Sequence, residues 1–205
     1  MSNPLQILLL GDSLTEGYDN YGTSFHPYAI RLESLLTESQ VPHKVTVSGV
    51  SGDLADPSVG SFKRRLETNL SSTKFDVVVI LGGTNDLGYQ QPPPKVVTSL
   101  RTLWTLALGS GAVVVAMTVP EWVQNGKAFG RVEELNQLIR QDCLSTPKIE
   151  RLELLDLHNE FPQLKLEEEE RERLWGDSVH PTAAGYDVIG EKVFEKLVQL
   201  GIVRK

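Results

Sequence analysis

The sequence predicts an α/β fold in which a doubly wound parallel sheet of five strands lies between two layers of helices. Short apolar runs rich in Val, Ile and Leu alternate along the 205 residues with longer segments of helical period, as in chains built from βα units. The middle runs contain no polar interruption, so both faces of those strands should be buried. Right-handed crossovers then favour a three-layer α/β/α sandwich with the flavodoxin-like strand order 2-1-3-4-5.

Five βα units follow from this alternation. The strands are expected at Gln6–Leu10, Lys44–Val47, Phe75–Leu81, Val113–Thr118 and Leu152–Leu155. The helices are expected near Tyr28–Glu38, Ser61–Leu70, Lys95–Leu108, Arg131–Leu144 and Ala183–Leu200. The run Pro92–Pro94 predicts a stiff loop that introduces the third helix. No internal repeat or linker interrupts the pattern, so residues 1–205 are expected to form one domain.

Composition and charge exclude some classes of protein. The formal net charge is −7, whereas nucleic-acid binding is driven largely by clustered Lys and Arg, so no nucleic-acid partner is expected.

The segment Met1–Leu10 has no basic region and too short an apolar run for a signal peptide or a membrane span. A cytoplasmic location is therefore expected, or secretion if a leader has been removed. The one cysteine, Cys143, falls in a predicted amphipathic helix and is expected to pack rather than react.

The first polar motif, Gly-Asp-Ser-Leu-Thr-Glu-Gly, occupies residues 11–17 where the first strand ends. Open α/β sheets place ligands at the carboxyl ends of their strands, so Ser13 is expected to face a substrate. The same Asp-Ser pair is also typical of a helix N-cap. A catalytic interpretation therefore needs partner residues from elsewhere in the chain.

Three further motifs supply such partners. Gly-Gly-Thr-Asn-Asp follows the third strand and offers the side-chain amide of Asn85 as a donor. Ser-Gly-Val-Ser-Gly-Asp follows the second strand, and its glycines permit turns that aim backbone N–H groups inward, with Gly52 as the second donor candidate. Asp177 precedes His180 by three residues, a spacing that lets the carboxylate accept from imidazole Nδ1 and leaves Nε2 facing a nucleophile.

Taken together, these four motifs resemble the SGNH or GDSL hydrolases, which are esterases and lipases on a flavodoxin-like α/β/α sandwich. The resemblance implies that Ser13 is the nucleophile and that Asp177 and His180 complete its triad. It also implies an oxyanion hole formed by the Ser13 N–H, the Gly52 N–H and the Asn85 side chain. Where many relatives open the second motif with asparagine, this chain has Val-Ser-Gly at residues 47–49. The spacing favours Gly52 over Gly49.

The resemblance implies hydrolysis of a carboxylic ester with a small or medium acyl group, acetyl included, through an acyl-enzyme on Ser13. An acyltransferase or thioesterase with the same triad is the alternative within catalysis. A noncatalytic module that binds a small molecule or carbohydrate is the alternative outside it. The expected partner is a small-molecule ester, contacted by Tyr18, Tyr89 and Trp122 from loops at the same sheet edge. The acyl group and the oligomeric state stay open.

The remaining polar residues are expected to be structural. Asp12 and Asp86 should brace the turns that carry the two motifs. The acidic run Glu167–Glu170 predicts a solvated helix face. No cluster of His, Cys and Asp has metal-ligand spacing, so neither a metal nor a cofactor is expected. Three histidines have no carboxylate pattern beside them in the sequence and are expected to be exposed or structural: His26, His43 and His158.

Overall fold

The computed structural model describes residues 3–124, 127–145 and 151–204. Its central feature is a parallel sheet of five strands in the order β2-β1-β3-β4-β5. The strands are β1 (Leu5–Gly11), β2 (His43–Gly49), β3 (Val77–Leu81), β4 (Val113–Met117) and β5 (Leu152–Leu155). The predicted strand order and the three-layer architecture are therefore confirmed.

Nine α-helices are found in the described residues. They are α1 (Ser13–Glu16), α2 (Ala29–Glu38), α3 (Phe62–Ser72), α4 (Thr84–Gly88), α5 (Pro93–Gly109), α6 (Gly130–Ser145), α7 (Leu157–Glu160), α8 (Glu168–Leu174) and α9 (Ala183–Gln199). Two short antiparallel hairpins lie in loops, one pairing residues 18–19 with 24–25 and the other pairing 123–124 with 127–128. Within the described ranges no helix is long and apolar enough to cross a membrane.

The predicted strands and helices begin and end within two residues of the observed ones, and two of the differences have a clear physical reason. The third strand begins at Val77 rather than Phe75, because its pairing with β1 starts where Val77 lies opposite Ile7. The proline run was expected to be a loop, but Pro93 is the first residue of α5 and Pro92 is its N-cap. Proline suits this position because the first N–H groups of a helix have no intrahelical acceptor.

The central strands β1, β3 and β4 are buried on both faces, as their apolar runs predict. Along β1, Ile7 and Leu9 pack with α2 and α9 on one face. Leu8 and Leu10 pack with α3, α5 and α6 on the other. All four side chains have no exposed surface, and full burial of such a side chain contributes about 1.5–3 kcal/mol. The strand that ends at the Gly-Asp-Ser motif is therefore fixed on all sides.

Cys143 and the acidic run have the structural roles that were expected. Cys143 lies in α6 and packs against the core cluster on that face of the sheet. Burial raises the pKa of its thiol to about 12, which leaves almost no thiolate at neutral pH. The carboxylates of Glu167, Glu168 and Glu169 are exposed at the start of α8. There they interact favourably with the positive end of the helix dipole.

Helix α9 crosses α2 at a position that only glycine fits. A Cβ on Gly190 would lie 2.5 Å from the carbonyl oxygen of Tyr28, which is closer than any ordinary contact. Substitution of Gly190 by Ala should lower the free energy of unfolding by about 1–3 kcal/mol, as other overpacked sites do. Urea unfolding of both proteins measures this difference.

Gly109 provides the matched control because it is also a helical glycine, and a Cβ there would meet no atom within 4 Å. Gly109→Ala should leave stability unchanged or raise it by up to about 1 kcal/mol, since alanine is the better helix former. Equal effects of the two substitutions would contradict the close packing of α9 on α2.

Candidate active site

Three polar loops start at one edge of the sheet because their strands run parallel and in register. Gly11 at the end of β1 lies opposite Gly49 of β2 and Leu81 of β3. The loops that follow carry Ser13, Gly52 and Asn85. The structure therefore brings the first three motifs to adjacent strand ends, as sequence reasoning expected from the parallel topology.

Ser13 is the first residue of α1, and the preceding residue caps this helix. The carboxylate of Asp12 accepts a hydrogen bond from the N–H of Leu14 at 3.0 Å. The capping role is thus filled by Asp12, and the Ser13 hydroxyl is left for other partners. A Cβ on Gly11 would overlap the Thr15 side chain, so the turn from strand to helix is as tight as its glycine suggests.

Ser13, His180 and Asp177 form a continuous hydrogen-bonded chain. Ser13 Oγ lies 3.0 Å from His180 Nε2, and His180 Nδ1 lies 2.9 Å from Asp177 Oδ2. Since an ionised carboxylate can only accept a hydrogen bond, Nδ1 carries the proton and donates a hydrogen bond to Asp177. Nε2 is then the acceptor that faces the serine hydroxyl. This arrangement can remove a proton from Ser13 as it attacks an electrophile.

Asp177 is held ionised by its hydrogen bonds. Burial alone would raise the pKa of Asp177, but donors from the His180 ring and from the N–H groups of His180 and Val179 outweigh it and hold the pKa below its ordinary value. Both backbone donors lie 2.7 Å from Oδ1. The carboxylate therefore keeps a fixed orientation toward the imidazole.

The loop that carries Asp177 and His180 is supported from two other segments. Gln163 Nε2 donates to the carbonyl oxygen of Asp177 at 3.0 Å. The buried carboxylate of Glu121 in turn accepts from the N–H groups of Gln163 and Leu164 at 2.6 and 2.7 Å. Sequence reasoning missed Glu121 and Gln163, because no motif marks partners that lie 42 residues apart.

Two of the three candidate oxyanion donors lie near each other, Gly52 on the second loop and Asn85 in α4. Asn85 Nδ2 donates to the carbonyl oxygen of Asp53 at 3.0 Å, and a primary amide has a second N–H for another acceptor. Gly52 is exposed and has a φ of 78°, a conformation that favours glycine. Gly49 differs, since a Cβ there would overlap the backbone of Glu16, so its glycine serves close packing against α1.

Asp12 and Asp86 have the bracing roles expected of them. The two oxygens of Asp86 accept from the N–H groups of Ala55 and Asp56 at 2.9 and 3.0 Å, which ties the second loop to α4. Asp12 has no exposed surface. Burial raises the pKa of Asp12 to about 7, against the lowering effect of the Leu14 N–H.

Of the three aromatic residues expected to contact substrate, only Tyr18 is found against His180. The centroids of the two rings are 4.6 Å apart, and both rings line a cavity of about 190 Å³ together with Tyr21 and Asp177. Tyr89 is 73% exposed. Trp122 instead packs on Phe129, with ring centroids 4.8 Å apart.

The other histidines are structural, but two have carboxylate partners that the sequence did not indicate. His26 Nε2 lies 2.8 Å from Asp187 of α9, and His158 Nε2 lies 3.3 Å from Glu133 of α6. His43 Nδ1 instead lies 2.8 Å from the carbonyl oxygen of Val41. These carboxylates come from distant segments, so local patterns could not reveal them. Within the described ranges, no group of three or more His, Cys, Asp or Glu residues could hold a metal ion.

Comparison with known proteins identifies the family. The model of the GDSL-like lipase/acylhydrolase family matches residues 9–188, so the chain belongs to that family. An arylesterase from Vibrio mimicus is 34% identical over 125 residues, which are 60% of this chain and 59% of that protein. The match thus spans about three fifths of the length of this curated relative.

Solved structures share the fold over nearly the whole chain. The lipase/acylhydrolase from Enterococcus faecalis has a TM-score of 0.78 at 21% identity and covers 98% of this chain and 97% of its own. A putative arylesterase from Agrobacterium tumefaciens str. C58 has a TM-score of 0.75 at 21% identity, with 95% and 99% covered. Axe2, an acetylxylan esterase from Geobacillus stearothermophilus, has a TM-score of 0.74 at 19% identity, with 94% of each chain covered.

The raised pKa of Asp12 predicts that this residue lowers the free energy of unfolding as pH rises. Between its ordinary value near 3.8 and about 7, the carboxyl is ionised in the unfolded chain but protonated in the fold. The folded state then binds more protons, so this group's contribution to the free energy of unfolding falls as pH rises, by at most about 1.4 kcal/mol per pH unit.

Asp12→Asn keeps an acceptor for the Leu14 N–H but cannot titrate. The variant should gain stability relative to the wild type as pH is raised from 4 to 7, and the difference should then level off. Urea unfolding at a series of pH values measures this. A difference that is constant with pH would show that Asp12 does not titrate between these values.

Proposed function

We propose that this protein hydrolyses carboxylic esters through an acyl-enzyme formed on Ser13. The hydrogen-bonded chain from Ser13 Oγ through His180 to Asp177, with distances of 3.0 and 2.9 Å, carries the proposal. A serine hydroxyl is a weak nucleophile, so it needs a base within hydrogen-bond reach. His180 accepts the proton, and Asp177 fixes the imidazole tautomer and stabilises the imidazolium that forms.

The proposed reaction has two steps, acylation of Ser13 and hydrolysis of the acyl-enzyme. Ser13 Oγ bonds to the acyl carbon while its proton passes to His180, and the leaving alcohol departs with that proton. Water then attacks the acyl-enzyme, gives a proton to His180, and releases the carboxylic acid as Ser13 recovers its proton. Three donors stabilise the oxyanion in this proposal: the Ser13 N–H, the Gly52 N–H and the free N–H of Asn85.

The substrate is proposed to be an ester of a small acyl group, acetyl included. Relatives named as an arylesterase and an acetylxylan esterase support this class. Tyr18 is proposed to contact the leaving alcohol, because its ring lies against His180, the residue that protonates the departing oxygen. Tyr89 and Trp122, which are not found against His180, are proposed to contact more distant parts of the substrate.

The nucleophile is tested with p-nitrophenyl esters of increasing acyl length. Ser13→Ala should lower kcat by roughly 10⁵- to 10⁶-fold, the scale seen when a serine is removed from a triad, and the wild type should be fastest on short acyl groups. Ser178→Ala is the control, since Ser178 is exposed in the His180 loop and should keep full activity. Hydrolysis that survives in Ser13→Ala would refute the proposal.

Asn85 is tested as an oxyanion donor by Asn85→Ala. Loss of one such donor should lower kcat by roughly 10²- to 10³-fold, about 2.7–4 kcal/mol, while KM stays nearly constant because the interaction forms in the transition state. Asn159→Ala removes an exposed amide that donates to Asp156 and should leave kcat unchanged. Wild-type kcat in Asn85→Ala would remove the amide from the mechanism.

A further inference from the structure

The loop with Gly52 is tied to two strand ends by a buried ion pair. Arg65 of α3 donates from Nη2 to Asp53 Oδ2 at 2.7 Å and from Nε to the same oxygen at 3.1 Å. Its guanidinium also donates to the carbonyl oxygens of Gly11, at 2.9 Å, and Ser48. The side chains are only 14% and 8% exposed for Arg65 and Asp53. One cation therefore joins the ends of β1 and β2 to the second loop.

Asp53 has enough donors to stay ionised in this setting. The N–H and the hydroxyl of Ser61 each lie 2.7 Å from its carboxylate. Burial alone would raise the pKa of Asp53, but the Ser61 and Arg65 donors outweigh it and lower the pKa. The partly buried carboxylate thus accepts from two separate residues, and these hydrogen bonds fix its position.

The backbone of Asp53 is linked to two of the three candidate oxyanion donors, by a hydrogen bond to Asn85 and as the chain neighbour of Gly52. Its carbonyl oxygen accepts from Asn85 Nδ2 at 3.0 Å, and this bond orients the amide. Its N–H donates to Val50 at 3.2 Å and closes the turn that contains Gly52. The position of Asp53 thus fixes the direction of two donors at once.

On the other side of Gly52, the nucleophile helix holds the loop. Glu16 Oε2 accepts from the N–H and the hydroxyl of Ser51 at 2.7 and 2.5 Å. Gly52 itself has a φ of 78°, and a Cβ there would meet no atom within 4 Å. Its direction is therefore imposed through its two neighbours in the chain rather than by packing on the residue itself.

We propose that the Arg65–Asp53 pair and Glu16 act as a clamp that aligns the Gly52 N–H and the Asn85 amide with the oxyanion. The inference rests on the proposed function. Oxyanion stabilisation depends on donors placed before charge develops, and a displacement of about 1 Å in a reacting site can cost roughly 10²-fold in rate. Arg65 and Glu16 are positioning residues in this proposal, since each acts through the loop that it holds.

The test compares Arg65→Met, Arg65→Lys and Glu16→Ala on an activated acetyl ester. In Arg65→Met and Glu16→Ala, kcat should fall roughly 10- to 10²-fold with KM changing less than about threefold, because misaligned donors affect the transition state more than the bound ester. Inhibition by an alkylboronic acid, which forms a tetrahedral adduct on Ser13, should weaken by a similar factor. Arg65→Lys should recover part of kcat, since lysine keeps the charge but not the planar fork.

Arg140→Met is the matched control. Arg140 also makes a two-pronged pair with an aspartate, Asp156, at 2.9 and 3.0 Å, and its side chain is 18% exposed. This variant should lose stability by urea unfolding but keep kcat and boronate affinity. A purely structural role for Arg65 predicts the same behaviour in Arg65→Met.

The outcomes separate the clamp from the proposed function. If the wild type hydrolyses esters through Ser13 and both Arg65→Met and Glu16→Ala keep wild-type kcat, the clamp is refuted and the proposed function stands. If Arg65→Met does not fold, the kcat of Glu16→Ala alone tests the clamp, because this variant leaves the Arg65–Asp53 ion pair intact. If the wild type neither hydrolyses esters nor binds the boronate at Ser13, the proposed function fails and the clamp fails with it.

Discussion

The candidate active site depends on the parallel pairing of β1 with its two neighbours. Because β2 and β3 run in the same direction as β1, their carboxyl ends and the loops that follow lie at one edge of the sheet. The strands are fixed by apolar packing on both faces, with side chains such as Ile7 and Leu8 pointing to opposite layers. This rigid edge holds Ser13 in place, and every other polar group of the site is arranged around it.

Around this edge, the balance between burial and hydrogen-bond donors sets the direction in which the pKa of each carboxylate shifts. Asp177 and Asp53 lie in partly buried positions, but each accepts several hydrogen bonds, and these lower the pKa of both. Asp12 is buried beneath the serine with one donor to its side chain, the Leu14 N–H, and its pKa is raised. Neighbouring aspartates of the same site therefore differ in pKa because Asp12 is more deeply buried and because their hydrogen-bond partners differ.

The imidazole depends on segments that follow β4 and β5. A bridge between Trp175 and Pro181 closes the loop that carries Asp177 and His180, and Gln163 holds the carbonyl oxygen of Asp177. Glu121 fixes Gln163 through two backbone N–H groups. The position of the histidine opposite the serine therefore depends on segments from the far side of the sheet.

The sequence by itself determined the strands, the family, and the residues that form the Ser13–His180–Asp177 chain, because apolar periodicity and motifs at strand ends are local signals. It favoured the strand order without fixing it, because order depends on which strands pair. Only the tertiary structure decided which polar residues support them. Arg65, Glu121 and Gln163 have no motif, and the partners of His26 and His158 come from other helices. Tyr18 and Trp122 looked equivalent in sequence, but only Tyr18 lies on His180. Such contacts depend on side-chain directions across segments far apart in the chain, and those are fixed only when the layers pack.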